Sequence, residues 1–107
     1  MYQKELVKKL NIKTYTRVFD KEVKGFYVSD LLSWVLGKVK DKDYCLFTVV
    51  VNSNLIAVAS LLEINTIIFP EGIIPEETII KLAEEKQILL GTIDMTSAEA
   101  LRIIYQK

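Results

Sequence analysis

Along this chain the spacing of apolar residues switches repeatedly between the two periods of regular structure, about 3.6 residues for a helix and 2 for a strand. In "QKELVKKLN" Leu6, Val7 and Leu10 stand at helical spacing, which predicts a short amphipathic helix. "IKTYTRVF" alternates instead. Ile12, Thr14, Thr16 and Val18 fall on one side and Lys13, Tyr15, Arg17 and Phe19 on the other, as in an extended strand. "DKEVKG" turns the chain, and "FYV" begins a second short strand. From Leu31 the period is helical again, with Leu32, Val35, Leu36 and Val39 in one stripe. "YCLFTVVV" is a nearly continuous apolar run rich in β-branched residues, the pattern of a central strand covered on both faces.

The second half repeats the alternation. Leu55, Ile56, Ala57, Val58, Ala59, Leu61 and Leu62 wrap almost all the way round a helix, which predicts burial on more than one side. "TIIF" reads as a strand and "PEGIIP" as a loop. Pro75, Glu76 and Glu77 open the next helix, with proline in its first turn and acids near the positive end of its dipole. Its residues Ile79, Ile80, Leu82 and Ala83 face inward, and Lys81, Glu84 and Glu85 outward. "ILLG" is a last strand. Thr96 or Ser97 caps a final helix through Leu101, Ile104 and Tyr105, and Thr96 with Glu99 has the spacing of a capping box. Strands alternating with helices predict a layered α/β fold with a mainly parallel sheet.

Composition narrows the function classes. The 107 residues suit one domain, residues 1–107, and are too few for two ordinary ones. Half are hydrophobic, so a core is feasible without disulfides. Lys+Arg and Asp+Glu both number 14, which argues against nucleic acid or an anionic membrane as the main partner. The single cysteine, Cys45, lies in an apolar run and reads as a buried structural thiol suited to a reducing cytoplasm. With no histidine, the usual general base and the commonest metal ligand are both missing. No cofactor or metal site is expected. No apolar run approaches the ~18 residues of a membrane span, and the charged, helical start does not read as a signal peptide.

Three polar clusters should share the carboxyl edge of a parallel sheet, where ligands gather: Tyr27, Ser29 and Asp30; Asn52, Ser53 and Asn54; Thr92 and Asp94. Helix N-termini at that edge suit an anion, although Asp30 would repel one and tolerate a ribose better. Ser29, Asp30, Asn52, Ser53, Asn54 and Thr92 are therefore the candidate ligand residues. Helix capping alone, worth ~1 kcal/mol each, also accounts for Ser29, Asp30, Asn52 and Ser53. The phosphate loop GxxxxGK[ST] and the GxGxxG turn are both missing, and no spacing points to a nucleophile with its base. Trp34 points roughly 135° from the centre of its helix's apolar stripe, by the ~100° rotation per residue. Either it is a contact surface or the N-terminal helix or a loop covers it. Together with the all-round apolar helix that contains Ile56, it favours self-association, so Trp34 and Ile56 are the candidate interface residues.

"VKGFYVSDLLSWVLGKVK", "DYCLFTVVVNSNLIAVASLLEINTIIFPEG" and "LGTIDMTSAEALRIIY" resemble the DRTGG domain family, and more narrowly its small stand-alone, HPr serine kinase-like members. The resemblance runs from about Leu6 to Tyr105, with "YVSDLLS" and "NLIAVA" its most specific parts. It implies a three-layer α/β fold like the amino-terminal domain of HPr kinase/phosphorylase, where the domain is not the catalytic one. It further implies a regulatory or assembly role. Relatives beside CBS domains in nucleotide-regulated pyrophosphatases help form a dimer, and stand-alone ones accompany hydrogenase and electron-transfer proteins. Only Ser29, Asp30 and Asn54 match the family motif residue by residue. The string DRTGG is missing, Trp34 replaces an aspartate of many relatives, and Asn52 or Ser53 replaces a histidine. The expectation is a cytoplasmic, non-catalytic, homodimeric module that regulates or scaffolds a protein partner. The alternative is a sensor of a nucleotide or phosphorylated metabolite, and a phosphotransfer enzyme has the least support.

Overall fold

The computed structural model describes residues 1–106. Among them the order is α1 (Gln3–Leu10), β1 (Lys13–Thr14), β2 (Gly25–Val28), α2 (Leu32–Lys38), β3 (Tyr44–Phe47), α3 (Asn54–Leu61), β4 (Thr66–Phe69), α4 (Glu77–Glu85), β5 (Leu89–Thr92) and α5 (Ser97–Tyr105). The strands form one sheet in the order β1-β5-β4-β3-β2. β2 to β5 are parallel and β1 pairs antiparallel with β5. The fold is therefore a three-layer α/β domain with a mainly parallel sheet.

The order of the parallel strands explains the layers. Each crossover leads to the next strand along, so connections of one hand put α2, α3 and α4 on one face. Residues from these helices, Val35, Leu55, Ile56, Ala59, Ile79 and Ala83, pack on Leu46, Ile67, Phe69 and Leu90. Alternation sends Cys45, Phe47 and Ile68 to the other face, where they meet Leu6 and Leu10 of α1 and Ala100 and Ile104 of α5. Cys45 is fully buried there, and burial pushes its thiol pKa well up.

Several elements stop where the local pattern does not predict. The alternating run after Ile12 yields a strand of only two residues. Tyr15 still donates its N–H to the Leu90 carbonyl, but the Thr16 hydroxyl then accepts the Leu90 N–H at 3.1 Å and the chain turns away. The run "YCLFTVVV" leaves the sheet after Phe47. There the Asp30 carboxylate takes the Thr48 hydroxyl at 3.0 Å and the Val49 N–H at 2.7 Å, and Val49 is exposed. α3 lies between α2 and α4, which buries its flanks and sheet side but leaves Ala57 and Leu61 exposed. Leu36 is likewise exposed, so the α2 stripe narrows to Val35 and Val39 with Leu32 half-buried. Pro75 precedes the α4 cap Glu76 instead of entering the first turn.

The caps also divide. Thr96 caps α5, its hydroxyl accepting the Glu99 N–H at 3.1 Å. Glu99 does not close the box, because its carboxylate pairs with Arg102 at 2.7 Å. Neither Ser29 nor Asp30 caps α2, which starts at Leu32 with Leu31 as its cap residue.

Candidate functional site

β2 to β5 all end at the same edge, so the three polar clusters do share it. They do not share a cavity. The parallel strands run in sequence without reversing, so no topological switch point opens a common crevice. β2 and β5 are three strand spacings apart, roughly 14 Å.

Ser29 and Asp30 are spent on local structure. The Ser29 hydroxyl accepts the Leu31 N–H at 3.2 Å, and Asp30 ties the end of β2 to the end of β3 through Thr48 and Val49. Asp30 is not among the residues lining the crevice formed by the second cluster. That crevice, about 580 Å³, is lined by Val50, Val51, Asn52, Ser53, Glu76, Thr78 and Ile79. It opens between the first turns of α3 and α4, where helices leave backbone N–H groups without intrahelical partners. Asn52 closes the α3 turn, its Oδ1 accepting the Asn54 N–H at 3.0 Å. Ser53 takes the cap position with no side-chain cap bond, and Asn54 is exposed.

Thr92 belongs elsewhere. Its hydroxyl donates to the Ile73 carbonyl at 2.6 Å, on a separate hollow of about 200 Å³ with Asn11, Lys13, Tyr15, Gly72, Ile74 and Asp94. Sequence reasoning missed Glu76 and Thr78 as crevice residues. The available signal was that they start the helix after β4, hence at the same edge. The resulting donor set mixes hydroxyls and an amide with the Glu76 carboxylate. It suits a hydroxyl-bearing ligand better than a bare anion, because Glu76 opposes the positive end of α4.

The two interface candidates separate as well. Ile56 is buried at 2 % exposure inside this chain's own core, which corrects its assignment to a contact surface. α3 can be apolar on several sides because α2, α4 and the sheet already surround much of it. Trp34 is half-exposed, so neither the N-terminal helix nor a loop covers it, and the Lys38 ammonium lies 4.7 Å from the centre of its ring. Val28 and Leu31 are exposed beside it in the chain, at the β2 edge of the sheet. On the other face Tyr105, also exposed, meets Phe26 edge-on with ring centres 5.9 Å apart.

No protein-family model matches the chain, and no curated protein matches it. A solved structure does: the CBS and DRTGG domains of the regulatory region of a Clostridium perfringens pyrophosphatase, complexed with its activator diadenosine tetraphosphate. The TM-score is 0.72 at 20% identity, over 97% of this chain and 46% of that one. The likeness is one of fold. It supports the DRTGG-like architecture that the motifs imply, and this chain spans about half the length of the structure it matches. Among the described residues no helix is long and apolar enough to cross a membrane.

Proposed function

We propose that this protein is a non-catalytic regulatory or assembly module that works as a homodimer. The observation that carries the reading is the group of exposed apolar side chains at the β2 edge: Val28 at 48 %, Leu31 at 60 % and Trp34 at 51 % exposure. Exposed apolar side chains gathered at one sheet edge, Val28 on the α1/α5 face and Leu31 and Trp34 on the α2 side, point to an interaction site there, and tryptophan is enriched among residues that dominate interfaces. A regulatory role also fits a fold shared with a pyrophosphatase's regulatory region. The hydrogenase or electron-transfer partner implied by the family resemblance belongs to the same proposal. Sedimentation velocity at tens of micromolar tests the core of it. The wild-type chain is expected to be dimeric and Trp34→Ser to shift toward monomer, and a wild-type chain that stays monomeric refutes the reading.

A second reading is favoured by the crevice between α3 and α4, which would make the domain a small-molecule sensor. A nucleotide could set its ribose hydroxyls against Glu76 and Asn52, with Ser53 and Thr78 donating to other oxygens. The fold neighbour was solved with a dinucleoside tetraphosphate, which makes adenine nucleotides the first ligands to test. Binding to the native state raises the melting temperature. A rise with ATP, AMP or diadenosine tetraphosphate that disappears in Thr78→Ala supports this reading. No rise with any of them removes it.

A further inference from the structure

We infer that the second copy docks by strand pairing, with the open edge of β2 running antiparallel to the partner's β2 about a twofold axis at Tyr27. This rests on the homodimer reading above and specifies its contact. The Ser29 N–H donates to the Phe47 carbonyl, so Ser29 faces β3. Alternation along the strand aims the Tyr27 groups at β3 as well, and those of Phe26 and Val28 outward. β2 is the last strand of the sheet, so these outward groups have no neighbouring strand.

The two sheet edges are treated differently. At the far edge β1 has two residues, one of them the exposed Lys13, and the chain turns away at Thr16. Short edges and lysines are ordinary defences against strand addition. β2, "GFYV", has neither lysine nor proline.

Twofold pairing at Tyr27 sets Phe26 opposite the partner's Val28 and Val28 opposite the partner's Phe26. All four residues face outward, so each pair can exchange both backbone hydrogen bonds. Carried past the ends of β2, the same register brings the Lys24 side chain toward the partner's Asp30, twice by symmetry, although the Lys24 N–H itself turns to the Asp43 carbonyl. Both are exposed: the Lys24 ammonium has a 3.5 Å contact with the Asp43 carboxylate, and Asp30 uses Oδ1 on Thr48 and Val49 and leaves Oδ2. A slip of two residues in either direction sets a charge against an apolar residue. A stable interface needs about 800 Å² per partner, roughly one-eighth of this chain's 6107 Å². Four strand residues alone fall short of that, and exposed Leu31 and Trp34 on one face and Tyr105 on the other extend the contact.

Two measurements test the register. Amide exchange at Phe26 and Val28 is expected to slow as the chain is concentrated, while the Tyr27 amide stays protected throughout. Val28→Pro removes an outward N–H without touching the β3 ladder, a position edge strands tolerate. It deletes two symmetry-related hydrogen bonds and is expected to raise the dimer dissociation constant about tenfold or more. A dimer whose Phe26 and Val28 amides exchange freely, or which Val28→Pro leaves intact, overturns strand pairing while sparing the homodimer. A chain that is monomeric at every concentration overturns both. If circular dichroism shows Val28→Pro unfolded, exchange in the wild-type chain decides alone.

Discussion

Gln3 is fully buried at the first position of α1, and replacing it with methionine gives a sharp test of the packing described above. Its Nε2 donates to the Asn65 carbonyl at 2.8 Å and to the Thr66 hydroxyl at 3.1 Å, and its Oε1 accepts the Phe19 N–H at 2.9 Å. One side chain thus ties α1 to β4 and to the connection between β1 and β2. Three hydrogen bonds at about 1 kcal/mol each come to roughly 3 kcal/mol. The orphaning penalty is small: the Asn65 carbonyl keeps the Leu89 N–H, the Thr66 hydroxyl keeps Asn65 Oδ1, and Phe19 is only half-buried. Methionine recovers about 1 kcal/mol by burying more apolar surface, which leaves a loss of about 2 kcal/mol. At about 2.1 cal/mol/K per residue, 107 residues have an unfolding entropy near 0.22 kcal/mol/K, so Tm should fall by roughly 9 °C. Urea titration and thermal melts by far-UV circular dichroism measure both quantities at a fixed protein concentration. Lys4→Met, one residue along and exposed, serves as the control and should change stability by less than about 0.5 kcal/mol. A Gln3→Met loss no larger than the control's would refute the assignment of a structural role to these bonds.

Two glycines should respond in opposite senses. A Cβ on Gly91 would run into the Ile12 side chain and come within 3.2 Å of the Lys13 carbonyl, so Gly91→Ala should cost about 1–3 kcal/mol by urea titration. Nothing surrounds a Cβ on Gly37 in α2, and Gly37→Ala should stabilise by about 0.5–1 kcal/mol. Hydrogen bonds from Arg17, first from its side chain and then from its backbone, hold the Glu84 carboxyl below its usual pKa. A depressed carboxylate stabilises the fold above its unfolded pKa, about 4.3, and loses that contribution as pH falls through the lower folded value. An NMR titration should show the Glu84 pKa rising part of the way toward the usual range in Arg17→Ala, which removes the side-chain bond but keeps the backbone one. Buried Cys45 should react with a thiol reagent only as fast as the chain opens, and rapid labelling in native buffer would contradict its burial.

Local periodicity carried the order and type of most elements, because the apolar stripes of α1, α4 and α5 and the buried run of β4 are properties of neighbouring residues. Thr96 was legible as a cap for the same reason. The candidate site was legible only in part. Asn52 and Ser53 do line a crevice, whereas Glu76 and Thr78 join them only through the packing of α4 beside α3.

Chain length, neutral charge, the lack of histidine and the alternation of helix with strand were determined by the amino-acid order alone. Tertiary structure decided where β1 and β3 stop, why a glutamine lies inside, and which apolar residues remain outside. Those outcomes depend on hydrogen bonds between distant parts of the chain, Thr16 with Leu90, Asp30 with Val49 and Gln3 with Thr66, and on which helix faces the sheet has room to cover. Ile56 and Trp34 are both large and apolar in apolar helices. Only the stacking of α3 between two neighbours, with α2 at the sheet's open side, sends one into the core and leaves the other on the surface.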